Sequence, residues 1–225
     1  MGDDLAFKIN EKDFERFSKE DPADKSNKWK QSFYYPEKDG VRMTMYEKPI
    51  PELKGKNLYR TLMTIKDCQI EHYKHLIRNY TKHSKENKQF KEFTVISRDA
   101  ELFTQPETNS FVYMRNKIPL CSDRDLIINS RSLTYNDGNT VMFIQNTCEH
   151  PDYPKRKGCV RMTINKCIKV EQVGNDICSE ELCTFDMGGY FPSRMMNMMV
   201  AGSIKAGVPL FKKQLEEAKQ TVLAN

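Results

Sequence analysis

The sequence predicts an α+β fold in which a curved antiparallel sheet wraps one long C-terminal helix. Three observations predict it. Nine strand-like runs are spread along the 225 residues, while helical spacing is confined to three segments. The last of these segments carries a single apolar stripe. Its residues Met196, Val200, Ile204, Val208, Phe211, Leu215, Ala218 and Val222 follow at steps of 4, 4, 4, 3, 4, 3 and 4. Finally, a long antiparallel sheet with so few helices buries only one face unless it curls, and curling round the helix completes a core.

Taken in order, residues 5–20 read as a helix with Leu5, Ile9, Phe14 and Phe17 on one face, ended by Asp21-Pro22. Strand character begins at Trp29, and after a turn at Glu37–Gly40 the residues Val41, Met43 and Met45 alternate with Arg42, Thr44 and Tyr46. A third strand spans 58–65. Cys68 to Tyr80 returns to helical spacing, with Ile70, Tyr73, Leu76 and Ile77 apolar. Six strands follow at 93–103, 110–117, 125–134, 140–148, 159–171 and 181–186, and Asn136-Asp137-Gly138-Asn139 is a hairpin signal. The closing helix is expected over about 192–223, kinked or split at Pro209. The interior of such a curled sheet is a natural cavity.

Composition narrows the classes. The chain has 38% hydrophobic and 30% charged residues, and its 12 Phe, 10 Tyr and 12 Met supply a real core, which excludes wholesale disorder. The expectation is one domain over residues 1–225. No run approaches 18 apolar residues, and the N-terminus carries neither a secretory signal nor, with Ala6 in the place of Ser or Thr, a myristoylation motif. Seven scattered cysteines without CxxC suggest reduced thiols that fill the core. Four histidines without HExxH argue against a metal, and no cofactor is expected. The net charge of +5 is densest from Lys74 to Glu92, where Lys74, Arg78, Lys82, Lys85, Lys88 and Lys91 face Glu86 and Glu92. This stretch reads as a solvated helix end and loop, or as a patch drawn to an anionic membrane; nucleic acid is not an expected partner.

Four segments, in order, resemble those of StAR-related lipid-transfer (START) domains. Trp29 precedes the hairpin Asp39-Gly40-Val41 with Tyr46. Lys117-Ile-Pro119-Leu-Cys-Ser-Asp123-Arg124-Asp125 matches a "P…sdRD" segment. His150-Pro151-Asp-Tyr-Pro154 runs into Gly158-Cys-Val160-Arg161, and Asp186-Met-Gly188-Gly189-Tyr-Phe-Pro192 leads to Asn197.

The resemblance implies a helix-grip fold, with about nine antiparallel strands holding the C-terminal helix over a tunnel for one lipid. It implies binding and intermembrane transfer of a phospholipid, sterol or related lipid by a cytoplasmic, monomeric protein that touches membranes transiently. The alternative is a lipid-gated interaction module without net transport. An enzyme is not expected, since GxSxG and Ser-His-Asp patterns are absent. If Leu126 faces inward, as the family register implies, Ile128 and Ser130 do too, and the preceding strand is expected to turn Phe111, Tyr113 and Arg115 inward. Arg115 is then the expected cavity cation, suited to phosphate or carboxylate. Met195, Met196, Met199, Val200 and Ser203, with Met198 nearby, are expected to line the lid helix. The departures matter too. The choline-caging pattern is missing near Phe90-Lys-Glu-Phe93-Thr94, and the cage positions fall near Tyr113, Leu126 and Asn165. Ser130 stands where the sterol-binding branch has an arginine. Arg124 and Asp125 are expected to tie the 117–124 loop to neighbouring strands.

Overall fold

Local chemistry sets the boundaries of the first helix. Asn10 accepts hydrogen bonds from the backbone N–H groups of Lys12 and Asp13, and Asp13 answers the Asn10 N–H. This capping box starts α1 at Glu11–Ser18, later than the predicted residue 5. The computed structural model describes residues 8–38, 40–51, 56–84, 90–118, 121–189 and 193–223; the side chains of His83 and of 193–201 and 203–206 are not described. Asp39, Pro119 and Pro192 thus lie outside the described residues, as do the side chains of Met195, Met196, Met198, Met199, Val200 and Ser203.

Ten strands form one sheet. β1 (Lys30–Lys38), β2 (Val41–Pro49) and β3 (Asn57–Ile65) precede the helices α2 (Ile70–Arg78) and α3 (Tyr80–Ser84). Then come β4 (Phe90–Arg98), β5 (Glu107–Asn116), β6 (Asp123–Tyr135), β7 (Thr140–Thr147), β8 (Cys159–Arg161), β9 (Thr163–Val173) and β10 (Asp176–Asp186). The chain closes with α4 (Ser193–Leu223). The strand order is β1-β2-β3-β10-β9-β7-β6-β5-β4, antiparallel throughout, with β8 added in parallel to β6.

Two boundaries differ from expectation. The run 159–171 divides at Met162, whose N–H donates to the Asp125 carbonyl while its side chain is buried near Leu126. The short β8 therefore pairs with the start of β6, and β9 with β7. Pro209 does not split α4, which runs through it as one 31-residue helix. The proline sits on an exposed position and removes only its own N–H from the ladder.

The two faces of the sheet carry different loads. On the inner face, α2 and the C-terminal half of α4 bury Tyr73, Leu76, Val208, Leu215 and Ala218 against Val41, Ile65, Val141, Phe143 and Val170. On the outer face, Phe14 and Phe17 of α1 join Trp29, Leu58, Met142, Ile144 and Leu182. Each fully buried side chain of this kind contributes roughly 1.5–3 kcal/mol. Trp29 donates its indole N–H to Glu20 at 2.8 Å and packs edge-on against Phe17. After β10, Gly188 adopts φ +67°, and a Cβ there would come within 2.7 Å of the Arg161 carbonyl oxygen. Glycine is required at that turn for both reasons.

Candidate functional site

Antiparallel pairing decides which residues share the inner face. β5 and β6 pair as Ser110↔Ser130, Val112↔Ile128 and Met114↔Leu126, and direct partners point the same way. Ser110, Val112, Met114, Ile128, Ser130 and Ser132 therefore share a face, and all of them line an inner cavity of about 250 Å³. Phe93, Val95 and Arg98 of β4 continue the lining on one side, with Phe143, Gln145, Ile164, Lys166 and Ile168 on the other. Tyr73, Ile77, Tyr80 and Thr81 close it from α2 and α3. The volume lies just below the roughly 300–1,000 Å³ common for small-molecule pockets. A larger outer-face groove, about 390 Å³, is lined by polar groups including Arg42, Thr44, Lys169 and Glu180. The inner cavity, walled mainly by aliphatic and aromatic side chains, is the better candidate for an apolar ligand.

Ile128 and Ser130 thus stand on the cavity, and Leu126 shares their face, packed with Ile118, Met162 and Met187 beside it. The expectation for β5 is corrected. Phe111, Tyr113 and Arg115 point to the opposite face, because Leu126 pairs with Met114 rather than with an odd-numbered residue. One residue of register reverses a whole strand.

These three residues belong to an outer network at the start of β6. Arg115 donates through Nε and Nη2 to Asp123 at 2.9 and 2.6 Å, and Lys91 reaches the same carboxylate at 2.8 Å. Those hydrogen bonds hold the Asp123 pKa below its usual value against the opposing effect of burial. Arg161 donates to both oxygens of Asp125, at 2.9 and 3.3 Å, and the Tyr113 hydroxyl lies 3.4 Å from that carboxylate. Tyr113 packs at a tilt against Tyr153, with the Arg156 guanidinium over the Tyr113 ring, while Phe111 meets His150. Burial, reinforced by Asp125, pushes the Tyr113 phenol up to about 12. Arg124 donates to the carbonyls of Met187 and Ser122, so Arg124 and Asp125 do tie the loop to its neighbours. Asn165 is also on the outer side, where it accepts the Thr147 N–H at 3.0 Å.

Fold comparison follows the same geometry. No family model and no curated protein matches the sequence. Among solved structures, human STARD10 is 17% identical with a TM-score of 0.70, over 99% of this chain and 87% of that one. The chain has the START fold. Human StAR-related lipid transfer protein 5 covers 92% of each chain at 20% identity and a TM-score of 0.63. A STAR-related lipid transfer protein from Xanthomonas axonopodis is 17% identical, with 84% of this chain and 98% of that one covered and a TM-score of 0.61.

Much of the basic stretch is committed internally. Lys74 is buried and paired with Glu71 at 2.6 Å, Arg78 donates to the Leu102 carbonyl, and Lys91 is held by Asp123. Lys82 is exposed, and Lys85 and Lys88 lie outside the described residues. No helix of the described residues is long and apolar enough to cross a membrane. Sequence reasoning missed Gln145 and Lys166. The signal for Lys166 is a lone charge in the alternating run Ile164, Lys166, Ile168, Val170, a strand face otherwise apolar.

Proposed function

We propose that this chain binds a single lipid in the inner cavity and carries it between membranes as a monomer in the cytoplasm, through transient surface contact and without covalent chemistry. The observation that carries the reading is the cavity itself, a mainly apolar space between the inner face of the sheet and α2–α3 in a fold shared with StAR-related lipid transfer proteins. A two-chain lipid needs more room than about 250 Å³, so binding one requires the cavity to widen. The resemblance implies that Met195, Met196, Met199, Val200 and Ser203 of α4 contact the bound lipid, and we propose them for that role. Each methylene buried on entry contributes about 0.8 kcal/mol, which makes chain burial the main source of affinity.

The test is extraction. Purified protein incubated with vesicles of mixed phospholipids, sterol and neutral lipids, then separated from them, is expected to carry one lipid per chain by native mass spectrometry. It is also expected to deliver that lipid to acceptor vesicles. Protein that emerges empty and transfers nothing contradicts the reading.

A further inference from the structure

A polar row crosses the mainly apolar cavity floor in strict register. Successive strand pairings link Arg98↔Ser110, Ser110↔Ser130, Ser130↔Gln145, Gln145↔Lys166 and Lys166↔Cys183, from β4 at the sheet edge to β10. Apolar residues flank it, with Val112 and Ile128 on one side and Phe143 and Ile168 on the other. Gln145 donates to the Ser130 hydroxyl at 3.1 Å. Among the described residues, no hydrogen bond engages the hydroxyls of Ser110 and Ser132. Polar groups on an inner wall are costly to bury unless a partner meets them.

Two members of the row are charged and line the cavity: Arg98, exposed at the sheet edge, and, deeper along the row, Lys166. The Lys166 ammonium lies 3.6 Å from Glu181 on β10, and a quarter of its side chain stays open. Burial opposes the charge on Lys166, but Glu181 and its neighbours outweigh it and raise the lysine pKa above its ordinary value. The pair is therefore a charged but balanced unit. An anionic head group at Lys166 would add a second negative charge beside Glu181, which opposes it. A neutral group that both donates and accepts hydrogen bonds adds none, and can bond to Gln145 together with a neighbour in the row, Lys166 or Ser130.

We infer that the row from Ser110 to Lys166 is a head-group subsite for lipids with a neutral, hydrogen-bonding polar end, a hydroxyl or an amide, and that the Lys166–Glu181 pair sets this preference by charge balance. The inference rests on the lipid-binding reading above and adds the class of ligand to it.

Dodecanol and dodecanoate, equal in chain length, separate the alternatives by calorimetric titration at pH 8, where the carboxylate is ionised. The wild type is expected to bind dodecanol at least tenfold more tightly. Glu181→Gln leaves Lys166 without its counter-charge, so dodecanoate should gain at least tenfold and approach or overtake dodecanol. The doubly neutral Lys166→Met/Glu181→Gln variant should lose about tenfold for dodecanol without gaining dodecanoate; thermal melting checks that both variants fold. A wild type that prefers dodecanoate or binds neither probe overturns the inference, as does an E181Q variant with unchanged preference. The vesicle extraction above keeps the two claims apart. Protein that extracts lipid but fails these titrations loses only the subsite, whereas protein that extracts nothing loses the parent reading as well.

Discussion

The two faces of β5 and β6 are made of the same strands and do opposite things. On the outer face, Tyr113, Arg115, Asp123, Asp125 and Arg161 satisfy one another through buried and part-buried contacts of 2.6–3.4 Å. On the inner face, Ser110, Val112, Ser130 and Ser132 front a cavity, and the Ser110 and Ser132 hydroxyls meet no hydrogen-bond partner among the described residues. Alternation along a strand lets adjacent residues serve stability and occupancy separately. The outer face holds the β6 loop in place, so the inner face can remain incompletely packed.

Breaking the outer face should cost most. Asp125→Ala leaves the nearly buried Arg161 with the Tyr153 carbonyl and, as its acidic partner, the exposed Glu149, and should destabilise the protein by about 3–5 kcal/mol in urea unfolding. A loss under about 1 kcal/mol would show the outer network to be ornamental. Tyr113→Phe removes a single long hydrogen bond and should cost about 0.5–1.5 kcal/mol. It should also change the alkaline limb. The folded phenol titrates near 12, above the unfolded value of about 10, so its contribution is intact below pH 10 and is lost as pH rises towards 12. The Phe variant should unfold less steeply across that window, and an unchanged pH profile would count against the assignment. Ser132→Ala, on the inner face, should change stability least, by less than about 0.5 kcal/mol, because its hydroxyl meets no hydrogen-bond partner among the described residues. A cost as large as that of Tyr113→Phe would erase the contrast between the faces.

The fold was legible where local patterns are strong. The alternation of Val41, Met43 and Met45 and the C-terminal half of the α4 stripe, with Val208, Leu215 and Ala218 buried, both lie where periodicity put them. The division at Met162 was not legible, because it depends on the carbonyl of Asp125, distant in sequence, competing for one N–H. The site was half legible. Ile128 and Ser130 reach the cavity, but Phe111, Tyr113 and Arg115 face away, because period-2 alternation fixes a strand only up to a choice of face. That choice depends on the β5–β6 register, which the loop at 117–122 does not announce. Lys166 was missed for a different reason: its counter-ion Glu181 sits on another strand, and only the fold brings the two together.

The central claim is that the ligand occupies the face of Val112 and not that of Phe111. Val112→Trp and Phe111→Trp place a fluorophore on adjacent residues of β5, and Trp29, packed on α1 at the outer face, is an internal reference. Protein loaded from vesicles of chain-brominated phospholipid, with bound lipid verified by mass spectrometry, is then read by tryptophan quenching. Strong quenching of V112W is predicted, while F111W and Trp29 stay bright. Equal quenching of F111W, or a bright V112W in lipid-loaded protein, would contradict the account.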